Sequence, residues 1–195
     1  MKILGIANNG EGRPSLYLKP DSSLLVNRKP FFIPDFAQCF QANPCLVLRI
    51  NRLGKNIAPR FANRYFSEAA LGYNISVAHS PQISSITKKN TVAESTLPED
   101  GTLSTFAFDY SAIVGEFQEF ADIANSPLTF MDRNLCLDEL LYEPSKTLEF
   151  LSRYVTIRMG DMVCIDFATK PLTLVPELVL TAHIADSQTL LCRVK

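Results

Sequence analysis

A β-rich α+β domain is the fold class that this sequence predicts, and three observations predict it. Apolar residues come in short runs of strand length, such as Leu16-Tyr17-Leu18 and Leu46-Val47-Leu48. Clusters of Asn, Gly, Pro and Asp punctuate those runs as turns do. Only two stretches carry helical spacing, and they do not alternate with strands, so a doubly wound parallel sheet is excluded. The 195 residues suit a single domain, taken to span 1–195. A hydrophobic share of 47% against 20% charged is enough to build a core and argues against disorder.

The elements follow in chain order. Residues 2–7 read as a strand, ended by Asn8-Asn9-Gly10, and 15–18 as a second, stopped by Lys19-Pro20. Residues 23–26 and 31–33 read as short strands around the turn at 27–30. The stretch Asn43-Pro44-Cys45-Leu46-Val47-Leu48-Arg49-Ile50 reads as the central strand. Its period of two turns Leu46, Leu48 and Ile50 to one face and Cys45, Val47 and Arg49 to the other, with Asn43 beside Cys45. Phe61, Tyr65 and Ala69 recur every four residues, which predicts a helix over 59–71 with Pro59 in its first turn and Gly72 as its stop. Residues 73–79 alternate as a strand. Residues 80–103 are polar and read as a surface loop or irregular hairpin. Strand signals return at 104–110, 113–120 and 128–131. A second helix is expected from Pro144-Ser145, with Ser145 as N-cap and Leu148, Leu151 and Val155 on one face. Gly160-Asp161 makes a turn, and strands at 162–167, 178–184 and 189–194 close the chain. No repeat period occurs.

Charge bounds the partners. Nineteen basic against 20 acidic residues leave a net charge of −1, and the basic residues are scattered along the sequence. That balance offers no long-range field for nucleic acid or an anionic membrane, and neither is expected as a partner. The first apolar run, Ile3–Ala7, is too short for a signal peptide, and nothing approaches the roughly 18 apolar residues of a membrane span. A cytoplasmic protein is the expectation.

No dinucleotide, phosphate-loop, zincin or nucleophile-elbow motif is present. The five cysteines are odd in number and form no CxxC pair, so most read as buried reduced thiols. His183 sits within a strand and reads as structural. His79 ends a strand beside Ser80-Pro81, where site residues often lie. Cys45 leads the central strand, and a reactive thiol there needs a base or a positive charge close by. Cys45 and His79 are therefore the candidate catalytic residues, each set against a structural role. Glu116 and Glu119 read as a solvated face.

The order of signals resembles the catalytic domain of the fumarylacetoacetate hydrolase family. Leu16-Tyr17-Leu18-Lys19-Pro20 is similar to the family's Phe-Leu-Lys-Pro run. The strand through Ile50 with Lys55-Asn56-Ile57 resembles its metal strand and basic tail. Ala69-Ala70-Leu71-Gly72-Tyr73 resembles its segment ending in Gly-Tyr, and Phe108-Asp109 with Gly115 its Phe-Asp…Gly stretch. Residues 156–163 resemble its Thr-Leu-Xaa-Pro-Gly-Asp-Val-Ile segment. The resemblance implies a mixed β-sheet roll with two main helices, usually dimeric. It also implies a divalent ion (Mg²⁺, Mn²⁺ or Ca²⁺) on a Glu-x-Glu pair and a further Asp, gripping a dicarbonyl or 2-hydroxy-dienoate acid.

At the positions where the family carries its chemistry, this sequence departs from it. The Glu-x-Glu pair falls on Asn43-Pro44-Cys45, the third ligand on Ala78 and the site lysine on Phe106. No acidic residue lies between Phe36 and Leu53 to replace the pair. The lid with its His and Glu is missing between Asn9 and Pro14. Asn43, Cys45, Asn74, Ala78 and Phe106 thus mark the pocket by family position, with no metal and no cofactor expected. The reading is a homodimeric scaffold, or a binder of a small dicarboxylate or oxo-acid, that has lost metal-dependent chemistry. Its alternative is an enzyme with a reshaped site, a hydrolase, decarboxylase or isomerase of the 2-hydroxyhepta-2,4-diene-1,7-dioate isomerase type, using Cys45, His79 and Asn74.

Overall fold

The computed structural model describes residues 1–8, 14–78 and 105–195. In chain order, the strands that open the molecule are β1 (Ile3–Asn8), β2 (Pro14–Lys19), β3 (Leu24–Val26), β4 (Phe40–Ile50) and β5 (Phe66–Val77). After residue 105 come β6 (Ala112–Val114), β7 (Gln118–Glu119), a five-residue helix α1 (Phe120–Ala124), β8 (Leu128–Phe130) and β9 (Arg133–Leu135). The main helix α2 (Pro144–Tyr154) leads into β10 (Met162–Asp166), β11 (Leu172–Thr173), β12 (Val179–Ile184) and β13 (Ser187–Arg193). These strands build a β-rich fold with few helices, as expected.

Among the described residues the strands form two sheets. The large one runs β2-β1-β10-β4-β5-β6-β3, with β11 added on β4 and β7 on β5. The small one runs β13-β12-β8-β9. The large sheet is mixed: β1 pairs with β10 and β3 with β6 in parallel, while β4 pairs antiparallel with both β10 and β5. The β4–β5 ladder is the longest in the molecule, from Phe40 opposite Val77 to Ile50 opposite Phe66.

That ladder explains how the core divides. Leu46, Leu48 and Ile50 fall on the face that packs, together with Tyr73, Ile75, Phe130, Phe167, Leu180 and Leu190, into the main core between the two sheets and α2. Tyr73 ties the sheets by a polar bond as well, since its hydroxyl donates to the Thr181 carbonyl at 2.9 Å. Cys45 and Val47 fall on the opposite face, in a smaller cluster with Ile3, Tyr17, Ala70, Met162 and Cys164. The alternation read for 43–50 therefore holds, but both faces are buried from Pro44 to Leu48, Asn43 is half-buried, and Arg49 is exposed, paired with Glu68 and stacked at 4.1 Å on Phe117.

Several expected elements are corrected. The helix expected over 59–71 is a 3-10 segment, Pro59–Arg64, and β5 begins already at Phe66. A spacing of four satisfies a strand as well as a helix, and twelve residues of ladder with β4 outweigh a local helical preference. The second helix forms as predicted, but its N-cap is Glu143, and Pro144 takes the first helical position where its missing N–H costs nothing. The strand expected at 113–120 divides: β6 takes its start, ending at Val114, and Gln118–Glu119 pair with β5 before α1 starts. Phe31 makes only a single bridge to Val194. Residues 105–110 form no strand. The loop or hairpin expected at 80–103, His79, and the shortened segment between Asn9 and Pro14 lie outside the described residues.

The turn at Gly160-Asp161 is anchored rather than free. Asp161 is buried, and its carboxylate accepts from the Arg158 backbone N–H at 2.8 Å and from the backbone and ammonium of Lys2. All five cysteines are free thiols; Cys45, Cys164 and Cys192 are buried. No helix among the described residues is long and apolar enough to cross a membrane.

Candidate functional site

The registers of three strands, β4, β5 and β10, set the positions singled out in the sequence. Asn43 lies opposite Asn74 across β4–β5, and Cys45 lies between Gly72 of β5 and Asp166 of β10. Gly72 is needed there: a Cβ on it would stand 2.6 Å from the Ile113 carbonyl oxygen and 3.4 Å from the Cys45 sulfur. Ala78 follows the end of β5 and donates its backbone N–H to the Cys39 carbonyl. Phe106, on helical backbone ahead of the turn that leads into β6, packs near Cys45 and stacks on Tyr17 with ring centroids 4.8 Å apart and planes 11° apart. Tyr17 can lie over the sheet only because residue 5 is glycine; a Cβ there would come within 2.1 Å of its ring.

Beneath this stack lie two ionisable groups that the sequence reading did not select, Lys19 and Asp166. Lys19 is fully buried, and its amine donates to the carbonyls of Ile75 and Ser111 at 2.9 and 2.8 Å. Three rings surround it, with Tyr17, Phe106 and Phe108 centroids 5.8 to 5.9 Å away. Desolvation pulls its pKa down to about 7, against the pull of Cys164, Asp166 and Cys45. Asp166 is buried beside Cys45, and the Asn74 amide donates to its two oxygens at 3.4 and 3.2 Å. Burial drives its pKa up to about 7, opposed by that amide and by Lys19. A signal for both was present: each charge ends an apolar run, and alternation puts Lys19 on the side of Tyr17 and Asp166 on the side of Cys164.

Cys45 is 1% exposed. Burial pushes its thiol pKa well up, and a hydrogen bond with the Cys164 thiol adds to the effect. A protonated, enclosed sulfur is a poor nucleophile at neutral pH. The Tyr17 hydroxyl is likewise held protonated by burial and by Asp166. Asn74 keeps one free acceptor: its Oδ1 is buried without a hydrogen-bond partner among the described residues. The cluster therefore holds an amine and a carboxyl that feel each other's charge, inside a wall of aromatic rings. The structure joins Cys45, Asn74 and Phe106 in this one cluster and places Asn43, half-buried, beside Asn74. His183 stands apart in β12, opposite Thr129 of β8.

No family model matches the sequence, and no curated protein matches it. Solved structures do. A crystal structure from Yersinia pestis CO92, of a protein assigned to the fumarylacetoacetate hydrolase family, covers 100% of this chain and 92% of its own, with a TM-score of 0.77 and 19% identity. This chain has the fumarylacetoacetate hydrolase fold. Two further structures share it. The 2-hydroxyhepta-2,4-diene-1,7-dioate isomerase of Mycobacterium marinum matches with a TM-score of 0.79 and 17% identity over 99% of this chain and 73% of its own. The fumarylpyruvate hydrolase of Pseudomonas aeruginosa, solved with Mn²⁺ and pyruvate, matches with a TM-score of 0.75 and 15% identity over 100% and 89%. At these identities the likeness carries the fumarylacetoacetate hydrolase fold and not an activity.

The fold family implies a divalent ion, and the described residues do not fit one. Three carboxylates would bring about three negative charges to a hard cation. The positions that the sequence resemblance assigns to them hold a neutral amide at Asn43, a protonated thiol at Cys45 and a methyl group at Ala78. Among the described residues no three His, Cys, Asp or Glu side chains gather as a metal site. Among the described residues Asp166 is the one carboxylate in the cluster, and Lys19 shares its surroundings.

Proposed function

We propose that this chain keeps the fumarylacetoacetate hydrolase fold without the divalent-metal chemistry associated with it. It acts as a homodimeric scaffold or as a binder of a small dicarboxylate or oxo-acid. The sealing of the Cys45 position carries this reading: a thiol that is 1% exposed, covered by the Tyr17–Phe106 stack, cannot be reached by a hydrated cation. Displacing that stack to open the position would lose aromatic packing and expose the buried Lys19.

A second reading is favoured by one observation. Lys19 and Asp166 are both drawn to about 7 by burial, and paired groups poised near neutrality are what acid–base chemistry requires. On that reading the chain is a hydrolase, decarboxylase or isomerase acting on small dicarbonyl or 2-hydroxy-dienoate acids without the family's metal set.

A turnover assay separates the two. Oxaloacetate, acylpyruvates and 2-hydroxy-dienoates are offered to the full chain, with and without added Mg²⁺ and Mn²⁺. The first reading expects product no faster than in buffer with every acid. Turnover that disappears in both Lys19→Met and Asp166→Asn overturns it and establishes the second.

A further inference from the structure

Basic residues that are scattered in the sequence meet at one corner of the fold. The turn after β4 and the 3-10 segment Pro59–Arg64 supply Arg52, Lys55, Arg60 and Arg64. The end of α2 and the turn that follows supply Arg153 and Arg158. These segments are bonded to one another. Gly54 and Ile157 exchange both backbone hydrogen bonds at 2.9 Å, Asn51 donates to the Tyr65 carbonyl, and the Lys55 ammonium donates to the Arg153 carbonyl at 3.0 Å. All six basic side chains are exposed. No Asp or Glu occurs in 50–67 or in 150–160. Of the six, Arg153 alone has an ion pair among the described residues, with Glu149. The guanidiniums of Arg60 and Arg64 both stack on Phe61, at 4.7 and 4.8 Å, which holds two like charges side by side.

Large apolar side chains stand among these charges. Met159 is 77% exposed, Leu53 66% and Tyr154 62%, and the Gly54–Ile157 bridge sets Leu53 next to Arg158 and Met159 next to Arg52. With a net charge of −1 the chain has no far-reaching positive field, so the attraction is local to this corner.

We propose that this corner docks the protein on an anionic lipid surface. The cations engage acidic headgroups, and Leu53 and Met159 enter the headgroup boundary. A lipid surface satisfies both chemistries at once. The phosphate backbone of a nucleic acid would pair the cations but leave the two apolar side chains with no role. The inference goes beyond the proposed function and is independent of it.

Co-sedimentation of the full chain with vesicles tests it. Vesicles of phosphatidylcholine mixed with phosphatidylserine should carry the protein down, and vesicles of phosphatidylcholine alone should not. Binding should vanish as salt shortens the Debye length to roughly 3 Å. Arg52→Glu with Arg158→Glu should weaken binding roughly tenfold or more. Leu53→Ser with Met159→Ser, which leaves every charge in place, should weaken it several-fold; near-UV circular dichroism checks that both doubles are folded. No sedimentation with the anionic vesicles overturns the proposal. So does binding that ignores the Leu53/Met159 double and is competed equally by duplex DNA or polyglutamate, since that outcome assigns the corner to a soluble polyanion.

Discussion

Replacing Asp166 with asparagine is expected to remove the acid limb of the protein's pH–stability curve, and replacing Lys19 with methionine the alkaline limb. Asp166 holds its proton in the folded chain up to about 7, whereas an unfolded Asp loses it near 3.9. Between those values the folded state binds more protons than the unfolded state, so stability falls as pH rises. Lys19 has the opposite sign. Its folded pKa is about 7 and its unfolded value near 10.4, so between them the unfolded state binds more protons and stability rises with pH. The two limbs meet near neutrality, where these groups contribute least. Each amounts to a few kcal/mol at most, at about 1.4 kcal/mol per pH unit. The groups share one buried cluster, so the limbs belong to the pair and a double variant should flatten both. Urea unfolding from about pH 4 to about pH 10 reads the effect. Single-variant curves that run parallel to the wild type would show that the cluster is not titrating where its burial puts it.

A methyl group added at Gly115 should unfold the protein or come close to it. Gly115 lies where the two sheets meet. Its N–H donates to the Leu71 carbonyl of β5, and the next residue, Glu116, donates to the Thr189 carbonyl of β13. A Cβ at this position would stand 2.7 Å from the Thr189 oxygen and 2.8 Å from the Leu71 oxygen. Both obstacles are backbone atoms in hydrogen-bonded ladders, so neither can rotate aside as a side chain would. Ordinary overpacking costs about 1–3 kcal/mol, and parting two sheets should cost more than its upper end. Gly115→Ala should therefore lose roughly 3 kcal/mol or more in urea unfolding, or accumulate as insoluble protein. A Gly115→Ala chain within about 1 kcal/mol of wild type would mean that the sheets can slide apart at this junction.

Much of the architecture was legible because strand alternation is a local property. Leu46, Leu48 and Ile50 announce a buried face without reference to anything else in the chain. The error over 59–71 shows the limit of that signal. Phe61, Tyr65 and Ala69 share a face at a period of 3.6 and equally at a period of 2, so the spacing cannot choose. The β4–β5 ladder chooses, and it depends on residues some 25 positions away. The cluster around Cys45 was legible only in part for the same reason. Its neighbours on β4 and β5 could be read from the strand and its relation to a known family. Its seal could not, because Tyr17 and Cys164 reach it from distant strands and Phe106 from the segment ahead of β6. Lys19 and Asp166 were visible as charges closing apolar runs. The sequence reads Lys19 as the stop of its strand and leaves Asp166 inside the strand at 162–167, since a charged side chain is almost never fully buried without a partner. The basic corner was hidden by spacing: its members lie up to about a hundred positions apart and meet only through the Gly54–Ile157 bridge.

Calorimetric titration of the full chain with Mg²⁺ and then Mn²⁺ tests most directly whether the fold has given up its metal. On the proposed reading a neutral amide, a sealed thiol and a methyl group stand where the resemblance puts the three carboxylates, so neither ion should give a saturable heat in the micromolar range. A single saturable site of micromolar affinity, weakened by Asp166→Asn, would contradict the account, because Asp166 would then be a ligand rather than a buried acid held beside Lys19.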